Sequence, residues 1–407
     1  MTRNTLILWP WLCLLALCFC PALFARTESG IGQLVDSIRL RYAPDGRTEL
    51  FQVRVAVEGD TVRLGGVTTS AQAHDELLRL LRLRGWHPVD GLRLLPDTAA
   101  LEGRTWGVVR LSVCNLHSRP DHSSEMLTQA LLGMPVRVLQ RDDWYRVQTP
   151  DGYIAWVHRA GVQPMTAQEL SAWNRADKLV VTALFGLVYS LPDAGSQPVS
   201  DVVSGNRLEL LGTAGGFYHV RYPDGRTGYL PLSAARPEAQ WRQALVQDVP
   251  SILRTAHMLM GIPYLWAGTS AKGMDCSGFV RTVLLMHDII IPRDASQQAY
   301  VGQRVDVASG FAGVQPGDLL FFGTPARDGR RERIVHVAIY LGGLRFIHAQ
   351  GDVRLGSFDP ADPLYDDFNL RRLLFAVRVL PFVGRLPQLN TTATNSFYAP
   401  VPAPLPW

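Results

Sequence analysis

Two stretches of this chain carry the same pattern, and that repeat restricts what the middle of the sequence can fold into. The first stretch contains VRVL (136–139), DWYRV (143–147) and DGYIAWV (151–157), and the second contains LELL (208–211), GFYHV (216–220) and DGRTGYL (224–230). The steps from Asp143 to Gly216 and from Asp151 to Asp224 are both 73 residues. Each stretch predicts strand, turn, strand, Asp-Gly hairpin turn and strand, with aromatic residues facing inward.

The predicted units occupy residues 103–165 and 175–236, and they resemble bacterial SH3-like β-barrels. A duplicated barrel of this kind is usually a binding module, although its pattern alone names no ligand.

The first residues indicate export. A single basic residue, Arg3, precedes an uncharged apolar run (6–19) that is too short to span a bilayer comfortably and is followed by small residues. This pattern predicts a signal peptide over 1–25, cleaved after Ala25, and a periplasmic or extracellular protein without stable membrane insertion. A lipoprotein processed at Cys18 or Cys20 and an uncleaved anchor are the alternatives.

Residues 26–102 predict a small α+β domain. Polar and apolar residues alternate over 49–57 and 60–67, and leucines at helical spacing follow over 71–85. The unit faintly resembles the BON-type βαβ modules of envelope proteins, and no chemistry is visible in it. At the other end of the chain, residues 382–407 are rich in Pro and Asn, which predicts an irregular tail.

Charge and cysteine content exclude two classes of protein. The 40 Lys and Arg residues exceed the 36 Asp and Glu residues by only four, so a nucleic-acid partner is not expected. Only Cys114 and Cys276 lie beyond the first twenty residues, which excludes a scaffold built on several disulfides.

The segment GMDCSGFVRTVLLMHDI (273–289) carries the clearest chemical signal. Apolar residues at 279, 280, 283 and 284 recur at helical spacing, so a helix is predicted to begin at Cys276. Backbone N–H groups at a helix start favour a thiolate, which is the form that attacks carbonyl carbons.

A base for this nucleophile is predicted in IVHVAIYLGGLRFIHAQG (334–351). If the connecting loop centres on Gly342, His336 and His348 lie directly opposite each other on neighbouring strands, whereas a two-residue loop would put them on opposite faces. The hypothesis makes Cys276 the nucleophile, His336 the general base and then acid, and His348 the residue that orients His336. The backbone N–H of Cys276 and the phenol of Tyr264 would form the oxyanion hole.

A catalytic zinc site is the chemical alternative, since cysteine and histidine also bind metals. The domain contains neither a Cys-x-x-Cys nor a His-x-x-x-His pair, so no metal and no organic cofactor is expected. Cys114 lies in RLSVCNLHS (110–118), where the alternating pattern places it on a strand and predicts a buried free thiol. The alternative, a disulfide between Cys114 and Cys276, would remove the nucleophile.

Six separated motifs support a resemblance to a known family. These are PYLWAGTS (263–270), DCSGFV (275–280), PRDASQQ (292–298), QPGDLLFF (315–322), HVAIYLG (336–342) and FIHAQG (346–351). In this order they resemble the NlpC family of papain-like peptidoglycan cysteine endopeptidases over residues 242–381. The resemblance implies a multidomain α+β chain, with a C-terminal papain-like domain preceded by two barrels and the small α+β domain.

The whole architecture resembles the secreted γ-D-glutamyl-L-diamino acid endopeptidases with two SH3-like domains. The resemblance implies a monomeric thiol protease that acts on cell-wall peptides or muropeptides. Its substrate would be an L-Ala-γ-D-Glu stem peptide with a free N-terminus, cut before diaminopimelate or lysine. The alternatives are a broader murein endopeptidase or amidase and a non-catalytic wall-binding protein.

The resemblance also implies substrate-binding residues. Glu125, Tyr153 and Asp294 would close around the amine, and Trp266, Asp275 and Ser277 would line the pocket near the nucleophile. Three departures from the family pattern are Ala267, Ala295 and Ala338. The methyl groups at 267 and 338 are expected to narrow the cleft.

Overall fold

The structure, a computed structural model, describes residues 28–308 and 310–399, and within them it is a multidomain α+β protein as predicted. The predicted signal peptide lies outside the described residues. No helix in the described part of the chain is long and apolar enough to cross a membrane. The chain forms an N-terminal unit, two barrels and a C-terminal domain, followed by a tail.

The N-terminal unit packs two helices against a four-stranded sheet. Its elements are α1 (Glu28–Tyr42), β1 (Phe51–Glu58), β2 (Thr61–Thr68), α2 (Ala71–Leu83), β3 (His87–Val89) and β4 (Leu92–Leu94). Helix α2 begins after Ser70, whose side chain accepts a hydrogen bond from the Ala73 N–H, and it buries Leu77 and Leu81 against the sheet. Strands β1 and β2 and helix α2 follow the predicted pattern, whereas α1 was not predicted.

The two barrels are built from seven strands each. The first has β5 (Trp106–Val109), β6 (Val113–His117), β7 (Met126–Leu131), β8 (Pro135–Arg141), β9 (Trp144–Gln148), β10 (Ile154–His158) and β11 (Val162–Met165). After α3 (Ala167–Arg175), the second has β12 (Lys178–Val181), β13 (Phe185–Tyr189), β14 (Pro198–Val203), β15 (Arg207–Ala214), β16 (Phe217–Arg221), β17 (Thr227–Pro231) and β18 (Ala235–Pro237). The predicted Asp-Gly turns are confirmed, because β9 pairs with β10 and β16 with β17 around Gly152 and Gly225, both at positive φ.

The prediction that the aromatic residues face inward is wrong for the last strand of each repeat. Val157 and Leu230 are fully buried, whereas their neighbours Trp156 and Tyr229 lie half-buried on the opposite face. The barrel interiors are small, and successive residues of a strand alternate between inside and outside, so aliphatic residues fill the inner positions. Trp156 instead carries the guanidinium of Arg146 over its ring, with 5.5 Å between the guanidinium carbon and the ring centroid.

The C-terminal domain packs helices against a six-stranded sheet in the order β21-β26-β22-β23-β24-β25. Its elements are α4 (Glu238–Ala244), α5 (Val249–Met258), β19 (Thr269–Ser270), β20 (Gly273–Met274), α6 (Cys276–Leu285), α7 (Ala295–Gln298), β21 (Gln303–Val305), β22 (Leu319–Thr324), β23 (Arg333–Gly342), β24 (Arg345–Gln350), β25 (Asp352–Ser357), α8 (Asp367–Leu370) and β26 (Leu373–Arg378). The apolar stripe of α6, including Phe279 and Val283, packs against Val337 and Ile339 of the sheet in one core.

Residues 243–261 do not form one continuous helix. The chain leaves α4 after Ala244, and α5 begins only at Val249, where the Asp248 carboxylate accepts a hydrogen bond from the Ser251 N–H at 2.8 Å. Pro250 explains the break, because it has no N–H and its ring would collide with the carbonyl four residues earlier in a continuous helix.

The first barrel contacts the N-terminal unit on one side and the C-terminal domain on the other. Leu50 of the N-terminal unit shares a buried cluster with Leu139 and Ile154 of the barrel. On the opposite side, the Gln129 side chain of β7 accepts a hydrogen bond from the Thr269 N–H at 2.8 Å. Residues 383–399 of the predicted tail form no helix or strand, but they are packed: the Asn395 amide donates to the Pro150 carbonyl at 2.8 Å.

Replacing Gln129 with Ala will lower the free energy of unfolding by about 1–3 kcal/mol, because the buried Thr269 N–H loses its acceptor. Urea unfolding followed by tryptophan fluorescence measures the change. The matched control is Gln163→Ala on β11, where the side chain is half-buried and the cost should stay within about 0.5 kcal/mol. Equal stabilities of the two variants would contradict the structural role of Gln129.

Candidate active site

A cleft of about 490 Å³ lies where the first barrel meets the start of α6 and the start of β23. Eight of the ten residues singled out from the sequence line this cleft: Glu125, Tyr153, Tyr264, Trp266, Asp275, Cys276, Ser277 and Asp294. The other two, His336 and His348, are buried in the adjoining sheet. The first barrel, the segment leading into α6 and the start of α7 therefore converge on one cleft.

Helix α6 begins at Cys276, as predicted. The Asp275 carboxylate accepts a hydrogen bond from the Gly278 N–H at 2.7 Å and so caps the helix. A glycine is required at 278, since an added Cβ would stand 1.9 Å from the carbonyl oxygen of Gly268. The close approach of the two chain segments holds the cysteine at the cleft wall.

The expected thiolate at Cys276 is not favoured in the free protein. Burial, and secondarily the charge of Asp275, raises the pKa of Cys276 to about 12. The backbone N–H groups of Val337 and Ser277 point at the sulfur and oppose this rise, but they do not overcome it. In the resting state Cys276 is therefore a thiol, held beside the strand that carries His336.

The two histidines meet, but not in the predicted register. Strands β23 and β24 are joined by a two-residue turn, with Gly342 opposite Arg345, but an irregularity between Tyr340 and Gly342 shifts the register so that Tyr340 lies opposite Phe346. The histidines are therefore diagonal neighbours. A displacement of two positions keeps both side chains on the same face of the sheet. Nε2 of His336 lies 2.9 Å from Nδ1 of His348, a hydrogen-bonding distance.

Both imidazoles are neutral in the free protein. Burial, followed by the neighbouring His348 and Arg372, holds the pKa of His336 well below its usual range. Burial likewise lowers the pKa of His348 to about 4, although Asp366 opposes the shift. In a neutral imidazole one nitrogen donates and the other accepts, so the bond between the rings determines which nitrogen of His336 remains basic.

Arg293 was not singled out from the sequence, and it holds the start of α6 in place. Its guanidinium is only 1% exposed and binds the Asp275 carboxylate, with the shorter contact at 2.7 Å. It also donates to Ser277 Oγ at 2.8 Å and to Thr128 Oγ1 of the first barrel at 3.0 Å. Its place in PRDAS gives no local signal for these contacts.

Asp275 is committed to protein contacts. Its two oxygens accept hydrogen bonds from the backbone N–H groups of Ala267 and Gly278 and from the Ser277 hydroxyl. They accept two more from the Arg293 guanidinium. We therefore assign Asp275 to holding the cleft wall, where the sequence reasoning placed it in substrate binding.

Two carboxylates line the cleft where the barrel meets the C-terminal domain, Glu125 from the barrel and Asp294 from the C-terminal domain. The Tyr153 hydroxyl donates to Oδ2 of Asp294 at 3.3 Å, which joins the barrel to the N-terminal end of α7. The Trp266 indole donates to Oε1 of Glu125 at 3.1 Å across the same gap. Burial and the charge of Asp294 raise the pKa of Tyr153, so its hydroxyl remains protonated and able to donate.

The departures at alanine positions lie in different places. Ala267 lines the cleft at φ 61°, a left-handed conformation that favours glycine and strains a residue with a Cβ. Ala295 also lines the cleft, next to Asp294. Ala338 does not line the cleft, because it is fully buried in a core cluster with Phe322 and Phe346, so its expected narrowing effect is wrong.

Cys114 is a buried free thiol, as predicted, and Cys276 is likewise unbridged. Within residues 28–308 and 310–399, no group of three or more His, Cys, Asp or Glu side chains is arranged to hold a metal ion.

Comparison with known proteins agrees with this arrangement. Residues 261–371 match the NlpC/P60 family, and residues 116–162 match the bacterial dipeptidyl-peptidase Sh3 domain. A γ-D-glutamyl-L-lysine dipeptidyl-peptidase of Bacillus cereus is 32% identical over 237 residues, which cover 56% of this chain and 68% of the relative. The chain belongs to the NlpC/P60 family.

Two further relatives extend the comparison beyond the family domain. Dipeptidyl-peptidase 6 of Lysinibacillus sphaericus is 28% identical over 63% of this chain and 93% of its own length. The crystal structure of an NlpC/P60 family protein from Bacillus cereus superimposes with a TM-score of 0.57 at 26% identity, covering 68% of this chain and 100% of that chain. The likeness therefore includes more than the 111 residues matched by the family model alone (261–371).

Alkylation of Cys276 by iodoacetamide will keep accelerating as pH rises through about 9, because the raised pKa leaves the thiolate scarce at neutral pH. Peptide mass spectrometry after timed labelling measures the rate at each pH. Cys114 in the same digest is the internal control: it is buried away from the cleft, and burial raises its pKa to about 12 as well. A plateau below about pH 7 would instead indicate a pre-formed thiolate–imidazolium pair.

Proposed function

We propose that this protein is an exported cysteine peptidase that cuts cell-wall stem peptides of the form L-Ala-γ-D-Glu–diamino acid after the D-glutamate. The third residue is diaminopimelate or lysine, and the substrate carries a free N-terminal amine. One observation carries the proposal: a single cleft joins the thiol of Cys276 to the carboxylates of Glu125 and Asp294. A buried ammonium needs paired charge to offset its desolvation, and two carboxylates provide it.

The reaction begins when Sγ of Cys276 attacks the γ-carbonyl carbon of D-Glu. The thiol proton passes to His336, whose Nε2–H donates to His348 and leaves Nδ1 as the basic nitrogen. The carbonyl oxygen becomes an oxyanion that accepts hydrogen bonds from the Cys276 N–H and the Tyr264 hydroxyl. Burial raises the pKa of Tyr264, so this hydroxyl keeps its proton.

The tetrahedral intermediate collapses by breaking the C–N bond. His336 returns the proton to the departing amine of the diamino acid, and a thioester to Cys276 remains. His336 then removes a proton from water as that water attacks the thioester carbon. The C–S bond breaks, the thiol is restored, and L-Ala-γ-D-Glu leaves with a new carboxyl group.

Cleavage of polymeric wall is the alternative within the family. Tyr153 and Glu125 line the cleft from the barrel and favour short stem peptides over that alternative, because a barrel that forms a wall of the cleft would block a long glycan-linked stem. Non-catalytic wall binding is disfavoured by the intact Cys276, His336 and His348.

The decisive experiment compares L-Ala-γ-D-Glu-diaminopimelate with the same peptide N-acetylated on alanine. Liquid chromatography with mass spectrometry should show release of diaminopimelate from the free peptide at least about 100-fold faster, or about 2.8 kcal/mol in kcat/KM. Cys276→Ala should abolish release from both. Equal rates would remove the amine-binding roles of Glu125, Tyr153 and Asp294, and inactivity on both peptides would favour polymeric wall as substrate.

His348→Ala will lower kcat by about 10²–10⁴-fold, because His336 loses the acceptor that fixes its basic nitrogen. His348→Asn is the matched control: its side-chain oxygen can accept from Nε2 of His336 in place of the imidazole nitrogen, so it should retain far more activity. Steady-state kinetics on the free tripeptide distinguish the two. Equal losses in both variants would argue against orientation by a hydrogen bond.

A further inference from the structure

A turn of the N-terminal unit reaches the catalytic domain beside the cleft. Arg47 lies between α1 and β1, and its Nη1 donates to Oδ2 of Asp294 at 2.8 Å and to Ser296 Oγ at 2.9 Å. Asp294 and Ser296 both line the cleft. A residue from the part of the chain that showed no chemistry therefore holds one of the carboxylates expected to bind the substrate amine.

The guanidinium of Arg47 is itself fixed. Its Nε and Nη2 donate to the two oxygens of Asp45, each at 2.8 Å, and the Gln297 amide donates to the same carboxylate at 2.8 Å. The backbone of the turn is fixed as well, because the Ile154 N–H of the first barrel donates to the Arg47 carbonyl at 2.7 Å. The third nitrogen of the guanidinium is thus presented to Asp294 in one orientation.

Arg47 supports Asp294 from outside the cleft. The described residues that line the cleft include Asp294 and Ser296 but not Arg47. Oδ2 of Asp294 accepts both from Arg47 and from Tyr153, so the protein holds this oxygen from two sides. Arg47 therefore does not occupy the place of a substrate group, and its position is that of a support for the carboxylate.

The charged side chains around Asp294 still favour the binding of a cation. Asp45 and Asp294 contribute two negative charges against the one positive charge of Arg47. The other charged residues that line the cleft balance one another, with Glu125 and Asp275 against Arg293 and Arg333, so four carboxylates face three guanidiniums in all. Burial acts to lower the pKa of Arg47, but the hydrogen bonds and charge of Asp45 outweigh it and raise the pKa, so the guanidinium stays charged. The network keeps a net negative charge where an ammonium would bind.

We propose that Arg47 is a positioning residue for substrate recognition: it holds the Asp294 carboxylate in the orientation that binds the amine of the stem peptide. The N-terminal unit is thereby part of the substrate site. This inference rests on the proposed function, since it presupposes an ammonium at Asp294. Fixing the carboxylate beforehand removes the cost of ordering it on binding, so the contribution appears in substrate affinity and not in the chemical step.

The test is steady-state kinetics of the full-length protein on the free tripeptide. Arg47→Gln should raise KM about tenfold with kcat within about twofold, and Arg47→Lys should restore part of the loss. Arg63→Gln is the matched control, because Arg63 is an exposed arginine of the same unit, paired with Glu58, and should behave like wild type. Thermal unfolding of each variant checks that the fold is retained.

A double-mutant cycle separates positioning from a general structural effect. In an Asp294→Asn background, Arg47→Gln should cause little further loss, since the two residues act through one carboxylate. Three results would each overturn the inference while the proposed function stands. They are losses from Arg47→Gln and Asp294→Asn that multiply in full in the double variant, a fall in kcat without a rise in KM for Arg47→Gln, and wild-type kinetics for Arg47→Gln. If the wild-type protein does not cleave the tripeptide, and the Cys276→Ala variant does not bind it in calorimetry, the inference and the proposed function are both overturned.

Discussion

The buried ion pair between Arg293 and Asp275 sets the geometry on which the cleft depends. Arg293 is held inside the protein by Asp275, Ser277 and Thr128, so one guanidinium joins the start of the catalytic helix to the first barrel. A buried charge that loses its partner costs about 3–5 kcal/mol, which makes the pair hard to separate once formed. The position of Cys276, one residue after Asp275, follows from this constraint.

The same burial that fixes the nucleophile also keeps it protonated. Desolvation raises the pKa of Cys276 and lowers the pKa of His336, so both groups are neutral in the free protein. In the proposed mechanism, the thiol therefore gives its proton to the imidazole as the sulfur attacks, and the negative charge passes to the oxygen of the substrate carbonyl. In the same mechanism the Cys276 N–H and the Tyr264 hydroxyl donate hydrogen bonds to that charge, so their stabilisation is available during the reaction and not before it.

Local patterns were enough to predict the centre of the site, and contacts between distant segments were not. The helix start at Cys276 follows from the spacing of apolar residues, and the histidine pair follows from the two-residue alternation of strands. The predicted pairing register was wrong, yet an even displacement kept His336 and His348 on one face. Arg47 and Asp294 are 247 residues apart, and nothing in either local sequence indicates that a turn and a helix start will meet.

The duplicated barrels show why the fold alone does not assign a role. The offset of 73 residues that relates the repeats places Arg226 of the second barrel at the position of Tyr153 in the first. Both follow an Asp-Gly turn, but Tyr153 donates to Asp294 at the cleft, whereas Arg226 donates to Asp224 and to the Arg110 carbonyl of the other barrel. One turn contributes to the proposed substrate site and its counterpart joins two domains. Because the backbones are alike, the difference in role comes from the side chain at this position and from what each barrel is packed against.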